Sequence, residues 1–366
     1  MGTEVVLVAG LAHHDVAEEI WRASPGAVLV RHDLRDLTEG VVRRWVDGEL
    51  TVLELAHGCV SCTLRLDLLP LLERLGGRVV VHLDPALEPE AVCFALHGLD
   101  VRVEAVVTVV DRGTWLADAT GDDTLAERGL SAAAADERTV AQVVVGQAEF
   151  ADAIVLTGSG PADAGVLDAV LDRLSPLAPR HDRDGLDVTA LLAAIPDDAR
   201  RGRLDDGFDA LLRGQPPLEP ADGVAVVHFV ERRPFHPVRL HHALDVLLDG
   251  VVRTRGRVWV ASRPDNALWL ESAGGGLRVG NLGPWLAAVD DWSEVPAERR
   301  ASASAVWDPY YGDRSQELVV VTGSAAPEEI TAALRDALVT DEELALVDEL
   351  EFTDPFAEWH DEMEEL

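Results

Sequence analysis

Two of the three cysteines in this chain form a C-x-x-C pair, Cys59 and Cys62, with Glu54 and His57 just upstream. Thiolates are soft ligands that suit Zn²⁺, and imidazole often completes a tetrahedral zinc site. The spacing of the pair lets both thiolates reach one ion. The candidate zinc ligands are Cys59, Cys62, His57 and Glu54. His82 is a further imidazole that lies near enough in the predicted fold to be considered.

The same cysteine pair allows two other interpretations. In the first, the thiols are a reduced, partly buried remnant of an ancestral site and bind no metal. In the second, they form a redox pair, which is the weaker interpretation because no thioredoxin-like pattern surrounds them. The third cysteine, Cys93, stands in an apolar helical stretch and is predicted to be a core residue.

Composition limits the kinds of partner that this chain binds. The formal net charge is −35 over 366 residues, and the sequence contains no lysine. Such an acidic surface repels phosphate, so we expect no direct contact with DNA and no binding to an anionic membrane. A basic protein surface is the more natural partner. Three cysteines are too few for a disulfide framework, and we expect neither a leader peptide nor a membrane span. These expectations together favour a location in the cytoplasm.

The hydrophobic pattern predicts two domains joined by a connector. Up to residue 178, short apolar strands alternate with helices, which is typical of an α/β domain with a parallel sheet covered on both faces. An acidic, alanine-rich stretch at 113–139 is predicted to be a mobile insertion within it. Residues 179–222 are predicted to be the connector, 223–345 a smaller α+β domain, and 346–366 an acidic tail.

Several motifs resemble those of the CobW-type branch of the P-loop GTPases, whose members handle metals. The second domain carries R-P-F-H-P at 233–237, R-G-R-V-W at 255–259, A-S-R-P-D at 261–265, A-G-G at 273–275, W-D-P at 307–309 and G-D-R at 312–314. The stretch 58–63 is similar to that family's G-C-x-C-C-T metal motif. Ser61 replaces the middle cysteine, and a serine is a poor zinc ligand. We therefore expect a two-thiolate site that is weaker than the family's motif or serves as a sensor.

Three stretches are most similar to one subgroup of that family, the mycobacterial proteins that recruit a ribosome hibernation factor. They are 54–63, 144–152 and 269–277. This resemblance implies a zinc-responsive adaptor that works under zinc limitation. It would bring a hibernation-promoting factor to the 70S ribosome through the small subunit, so that idle ribosomes are protected. The acidic composition favours protein rather than RNA contacts there.

The nucleotide loop departs from the P-loop pattern. Such a loop needs glycines for close backbone approach, a lysine for the β- and γ-phosphates and a Ser or Thr for Mg²⁺. Gly10 is retained, but Asp15, Val16 and Ala17 replace the second glycine, the lysine and the threonine. Asp15 and Glu18 fit a D-x-x-E capping box at the start of a helix. A carboxylate at Asp15 would repel a triphosphate.

Two further motifs are altered as well. His82 and Pro85 replace the Glu and Gly that relatives carry after the phosphate-facing strand, and proline cannot donate the backbone N–H that glycine gives. Thr157-Gly158-Ser159-Gly160 replaces the guanine-reading N-K-x-D. We therefore expect a degenerate GTPase rather than an enzyme, with weak nucleotide binding as the alternative. The alternative functions are a zinc metallochaperone GTPase that delivers metal to a client protein, and a zinc buffer or sensor with no client.

Overall fold

The structure, a computed structural model, describes residues 2–11, 14–55, 60–133, 136–160, 164–347 and 350–356, with the side chains of residues 14, 61, 62 and 164 left aside. The chain forms two compact units, Met1–Leu204 and Asp205–Leu366. Within the described ranges, the helices are too short or too polar to span a membrane.

The first unit is a sheet of eight strands with helices packed on it. Its strands are β1 Thr3–Ala9, β2 Val28–Asp33, β3 Val41–Val46, β4 Glu49–Glu54, β5 Gly77–His82, β6 Val101–Asp111, β7 Ala153–Thr157 and β8 Arg180–Asp182. Its helices are α1 His14–Arg22, α2 Val60–Thr63, α3 Leu69–Leu75, α4 Pro89–Leu96, α5 Trp115–Thr120, α6 Val140–Glu149, α7 Ala164–Leu174 and α8 Val188–Ala193. A π-helical turn, Leu64–Leu68, joins α2 to α3.

The strand order is β4-β3-β2-β5-β1-β6-β7-β8. Strands β2, β5, β1, β6, β7 and β8 are parallel, whereas β3 and β4 are antiparallel to their neighbours. The residues from Val5 to Ala9 in β1 are fully buried, because a central parallel strand is covered on both faces. The predicted α/β class with a mostly parallel sheet is confirmed.

The hairpin of β3 and β4 was not predicted from the sequence. Its two-residue turn, Asp47-Gly48, has positive φ at both positions (49° and 86°), the geometry that matches the twist of a hairpin. The backbone N–H of Asp47 donates to the carbonyl of Leu29 (2.9 Å), and its carboxylate accepts from the Leu29 N–H (2.8 Å). These two bonds fix the turn against β2.

Two segments with irregular sequence patterns belong to the packed body of the first unit. Within 113–139, predicted to be a mobile insertion, Trp115 and Leu125 are buried, so this stretch is packed rather than loose and that prediction is wrong. Strand β8 extends the sheet, and Leu191 and Ile195 lie in the same core cluster as β1 and α1. The segment predicted as a connector, 179–222, therefore includes the last strand and the last helix of this unit.

The second unit is an antiparallel sheet with two main helices. Its strands are β9 Val226–Glu231, β10 Val251–Val258, β11 Asn266–Ala273, β12 Gly276–Pro284 and β13 Gln316–Thr322, in the order β12-β11-β10-β13-β9. Its helices are α9 Pro237–Ala243, α10 Ala297–Ala305, α11 Pro327–Ala337 and α12 Asp341–Ala345. The core cluster combines α9 and α11 with the sheet, as Leu240, Leu318, Ile330 and Leu334 illustrate.

Segments at both ends of the second unit pack on it. Near its start, the Phe208 ring meets Trp285 edge-on at 5.8 Å between centroids. Near its end, Phe356 is 1% exposed within the core cluster, and Asp354 accepts from Arg263 at 2.8 Å. Residues 350–356, which make up most of the described part of the predicted acidic tail, are therefore docked on this unit.

Candidate functional site

The carboxyl ends of β1, β5, β6 and β7 meet at one edge of the first sheet, where parallel α/β folds bind ligands. Gly10 follows β1 with φ of +131°, and a Cβ there would lie 2.5 Å from the carbonyl oxygen of Val109. Only glycine fits such a backbone without displacing β6. The retained first glycine of the nucleotide loop is thus explained by packing between strands.

Asp15 lies inside α1 rather than before it. The helix begins at His14, which puts the exposed Asp15 in the first turn, and Glu18 forms an ion pair with Arg22 one turn further on. The capping box predicted for Asp15 and Glu18 is therefore wrong. The physical reason is that α1 begins at His14, earlier in the chain than the predicted start after Asp15. An acidic residue in the first turn still interacts favourably with the helix dipole.

The two positions after Asp15 are part of the hydrophobic core. Val16 is 1% exposed and Ala17 is fully buried, and both pack with Ile20 against the sheet. A P-loop needs a lysine and a hydroxyl at these two positions, and both must face the phosphates. Here the apolar side chains face the interior, so this helix offers a phosphate neither an ammonium group nor a magnesium ligand.

The turn after β5 is held by the buried carboxylate of Asp84. It accepts hydrogen bonds from the backbone N–H of Leu34 (2.9 Å) and of Ala86 (3.0 Å). Burial raises the pKa of Asp84, and the two N–H donors offset this effect only in part. The carboxylate therefore joins the end of β2 to the turn after β5, and it points into the fold.

Side chains from the following helical region fix the rest of that turn. Arg138 donates to the carbonyl of Ala86 (3.0 Å) and to the carboxylate of Glu88 (2.8 Å). The amide of Gln147 in α6 donates to the carbonyls of Pro85 (3.1 Å) and Leu87 (3.0 Å). Four consecutive residues of the turn are thus bonded to buried or half-buried side chains. These hydrogen bonds hold the segment in place.

The stretch aligned with the guanine-reading motif faces a carboxylate. Thr157 ends β7, and Gly158 follows it in a left-handed conformation (φ 69°), where a Cβ would lie 2.8 Å from Asp111 Oδ2. Asp111 Oδ1 accepts from the backbone N–H of Gly113 (2.8 Å). These contacts are those of a compact turn, and the Lys and Asp that read guanine have no counterpart in this stretch.

A small pocket opens beside the short helix that contains Cys62. Val60 and Thr63 line it, together with the buried imidazoles of His32 and His82. His32 lies near the end of β2, and His82 ends the neighbouring strand β5. His82 was among the candidate ligands, whereas His32 was not predicted. A histidine near the carboxyl end of a predicted strand was the signal available for it.

His32 is oriented by a buried acidic partner. Its Nε2 lies 2.7 Å from Asp67 Oδ2, and Arg44 contacts the other carboxylate oxygen of Asp67. Burial opposes ionisation of Asp67, but the hydrogen bond and charge of His32, aided by Arg44, outweigh it and lower the pKa of this carboxyl. This Arg44–Asp67–His32 chain fixes one wall of the pocket.

The structure places the candidate zinc ligands unevenly. Glu54 ends β4 and is exposed. His57 and Cys59 lie outside the described residues, and Cys62 belongs to α2 but its side chain is also outside the description. Among the side chains that are described, no three His, Cys, Asp or Glu residues cluster closely enough to hold a metal ion. The ligand set therefore stays a prediction.

The remaining cysteine behaves as the sequence indicated. Cys93 lies in α4, is buried and is a free thiol. Burial raises the pKa of its thiol to about 12, with a smaller contribution from the carboxylates of Asp152 and Glu90. Its assignment to the core is confirmed, and a thiol in that state is a poor metal ligand at neutral pH.

Comparison with known proteins now gives the family. Residues 224–338 match the C-terminal domain of the cobalamin synthesis protein CobW. A Mycobacterium tuberculosis protein named as a zinc chaperone is 46% identical to this chain over 391 residues, covering 99% of this chain and 94% of that protein. The chain belongs to the CobW family. The resemblance noted in the sequence is thereby confirmed at the level of the family, while its link to the ribosome-associated subgroup stays a prediction.

Two further proteins are similar to this chain at lower sequence identity. A Dictyostelium discoideum protein named zinc-regulated GTPase metalloprotein activator 1 is 26% identical over 320 residues, covering 81% of this CobW-family chain and 67% of that protein. The solved structure of Zn(II)-bound YjiA GTPase from E. coli is 16% identical, covers 93% of this chain and all of that chain, and has a TM-score of 0.39.

Proposed function

We propose that this CobW-family chain is a zinc-handling protein of the chaperone type, which carries zinc on the Cys59–Cys62 pair and works without hydrolysing GTP. The observation that carries the proposal is the position of α2. Val60 and Thr63, on either side of Ser61-Cys62 in the chain, line a pocket with two buried imidazoles. The 46% identical relative named as a zinc chaperone supports the same function.

The donor chemistry suits zinc as cargo. Two thiolates and an imidazole form a common zinc ligand set, and a fourth position left to a weak ligand or to water makes the ion exchangeable. The imidazole would come from one of the two histidines that line this pocket, His32 or His82. Ser61 stands where relatives have a third thiol, which lowers the affinity and favours release to a client.

Absence of GTP turnover is the second part of the proposal. Val16 and Ala17 occupy the core where a P-loop needs a lysine and a hydroxyl, and the sequence contains no lysine elsewhere. The relative named as a GTPase shows that the alternative, zinc delivery coupled to GTP hydrolysis, has to be tested directly. Phosphoryl transfer depends on positive charge placed at the phosphates, which this helix lacks.

The adaptor role is a second proposal with its own support. A fold that has lost its phosphate-binding side chains acts by docking, and a net charge of −35 favours basic protein partners. We propose the hibernation-promoting factor and the small subunit of the 70S ribosome as those partners. Co-sedimentation of the chain with ribosomes from zinc-depleted cells is the test. A ribosomal fraction that lacks the chain with and without zinc would argue against this role.

The zinc proposal is tested by calorimetric titration of the intact chain with Zn²⁺. We expect one ion per chain, and we expect the Cys59→Ala/Cys62→Ala variant to lose it. Cys93→Ala is the matched control, because its thiol is buried in another element and should leave the stoichiometry unchanged. Equal zinc binding by the double variant and the wild type would contradict the proposal.

A parallel titration with GTP and Mg²⁺ separates the two modes of action. We expect no heat of binding and no phosphate release with zinc present or absent. Measurable turnover would favour GTP-coupled delivery and would leave the zinc site itself unaffected.

A further inference from the structure

Strand β4 forms an open edge of the first sheet. Within the described ranges, β3 is its only strand neighbour, so the outer backbone N–H and C=O groups have no strand to pair with. Leu50 and Val52 on this strand are 50% and 55% exposed. An apolar edge strand is a template for pairing with another strand.

One face of the hairpin carries an exposed apolar strip. Trp45 pairs with Leu50 and Arg43 with Val52 in the register of β3 and β4, so these side chains share one face. The guanidinium of Arg31 on β2 extends the strip by lying over the Trp45 ring at 4.8 Å. Val42, whose side chain points to the opposite face, is fully buried. The core therefore covers one face of the hairpin and leaves the other to solvent.

The edge is preformed, and its charged residues, Glu49 and Glu54, lie only at its two ends. Proteins blunt edge strands with lysine, proline or a bulge, and the β4 sequence Glu-Leu-Thr-Val-Leu-Glu contains neither residue and pairs with β3 in unbroken register. The turn Asp47-Gly48 is bonded to Leu29, so the hairpin does not have to become ordered when a partner binds. A rigid edge of this kind reduces the entropy cost of strand addition.

We propose that β4 is a docking strand that binds an extended segment of a basic partner protein by β-augmentation. The partner segment would place two alternating apolar side chains over Leu50 and Val52, with a basic side chain opposite Glu54 on the same face. Glu49 lies at the other end of the strand on the opposite face. A second basic residue of the partner fits there.

Charge selects a foreign partner over a second copy of this chain. Antiparallel pairing of β4 with its own copy would bring the Glu49 end of one copy beside the Glu54 end of the other, and like charges gathered at the same end of a strand pair repel each other. Two copies would also each carry a net charge of −35. A segment with arginine or lysine at its ends converts both repulsions into attractions.

This docking surface adds a partner site to the proposed zinc function. Strand β4 ends at Glu54, five residues before Cys59, so a client held on this edge binds close in sequence to the thiol pair. Only the identity of the partner as a zinc client rests on the proposed function. Strand addition itself needs no metal, and its test uses none, so either proposal can fail alone.

The test follows backbone hydrogen exchange in the full chain. The probe is a blocked peptide in which valine and threonine alternate between terminal arginines, and the control peptide has glutamates at both ends. At saturating arginine peptide, we expect exchange in residues 49–54 to slow by about tenfold, because the outer N–H groups become paired. The glutamate peptide, and an arginine peptide with N-methylated backbone, should give no protection.

Two charge-matched variants complete the test. Leu50→Lys/Val52→Lys should abolish the protection, whereas Phe94→Lys/Val230→Lys changes equally exposed positions and should retain it. Val230 lies on β9, the edge of the second sheet, so this control also reports binding there. Unchanged exchange at 49–54, or protection at 226–231 instead, would overturn the proposal. Self-association of the wild type would also overturn the proposal if the Leu50→Lys/Val52→Lys variant did not self-associate. The strand that pairs with β4 would then belong to a second copy of this chain.

Discussion

Gly10 illustrates, at the scale of single residues, how packing alone can require the first glycine of a nucleotide motif. Its backbone lies against the Val109 carbonyl in a conformation that residues with a Cβ rarely adopt. The constraint comes from the neighbouring strand and is independent of phosphate. Val16 and Ala17 carry no such constraint, and they have become ordinary core residues.

We expect Gly10→Ala to lower the free energy of unfolding by about 2–3 kcal/mol, from backbone strain plus the clash with β6. Gly26→Ala is the matched control, because Gly26 also has a positive φ (79°) but a Cβ added there would have no neighbouring atom within 4 Å. It should cost only about 1 kcal/mol. Denaturant unfolding of both variants measures the difference, and equal losses would show that the Val109 contact is unimportant.

Sequence reasoning succeeds for residues whose environment is set locally and fails where the fold decides. The burial of Cys93 is predictable because its helix is apolar along most of its length. The capping role of Asp15 is wrong because the helix begins at His14, a boundary that sequence patterns define only to within a few residues. His32 is missed because its importance comes from Asp67, which is 35 residues away in the chain.

The turn after β5 shows the same principle at the scale of elements. Arg138 and Gln147, which hold it, come from the helical region 50 and 60 residues later in sequence. The acidic composition of residues 113–139 suggests a mobile segment. The C-terminal end of this segment nevertheless supplies Arg138, and its partners Ala86 and Glu88 cannot be recognised from the sequence. The hairpin β3–β4 is missed for a related reason, since its Asp-Gly turn is short and β3 is interrupted by two arginines.

We expect Arg138→Ala to accelerate hydrogen exchange in residues 85–88 by about tenfold and to lower the free energy of unfolding by about 1–2 kcal/mol. The variant removes the hydrogen bonds that Arg138 donates to Ala86, Glu88 and Asp136. Arg128→Ala removes an arginine of the same segment, which pairs instead with Asp118 at 2.8 Å. That variant should leave exchange in 85–88 unchanged. Equal acceleration in both variants would mean that the effect is not specific to Arg138.

The start of α12 makes a pH-dependent contact with α9. Glu343 accepts from both terminal nitrogens of Arg239, at 2.9 and 2.6 Å, and completes a capping box with Thr340. The hydrogen bonds from Arg239 lower the pKa of Glu343 from 4.5 to about 2, against a smaller opposing effect of burial. A lowered carboxyl pKa stabilises the fold above pH 4.5, and this stabilisation is lost as the pH falls towards 2.

We therefore expect Glu343→Gln to be less stable than the wild type at neutral pH, with a difference that shrinks as the pH falls from about 4.5 to about 2. Denaturant unfolding across that range measures it. Glu342→Gln changes the exposed neighbour on the same turn and should track the wild type. A difference between wild type and Glu343→Gln that is independent of pH would exclude the Arg239 pair as its cause.

At the scale of the whole molecule, each unit has its own hydrophobic core, one around β1 and α1 and the other around β13 and α11. The alternation of strands and helices predicts the first core well. Strands of a parallel sheet are buried on both faces, so they are recognisable in the sequence as continuous apolar runs. The limits of the units are harder to predict, since β8 is only three residues long. Residues 205–222 pack on the second unit through long-range contacts, such as Phe208 on Trp285 and the hydrogen bonds from Arg257 to the carbonyls of Gly207 and Asp209.

We expect the fragment 205–366 to fold alone and to unfold cooperatively. A fragment that begins at residue 223, the boundary predicted from sequence, should be less stable by about 3 kcal/mol, because it lacks Phe208. That ring packs on Trp285, and Arg299 lies 3.4 Å from its centroid. Thermal and denaturant unfolding of the two fragments gives the difference. Equal stability would show that residues 205–222 do not contribute to the second core.

The docking of Phe356 has a practical bearing on how shortened or tagged versions of the chain are made. A version cut at residue 345, where the sequence predicts that a tail begins, would lose the Phe356 ring from the core cluster and the ion pair of Asp354 with Arg263. The core side chains that Phe356 covers would then be exposed to water, and the shortened chain would be prone to aggregation. Affinity handles and fluorescent fusions are better joined beyond residue 356, so that the Phe356 ring stays in the core.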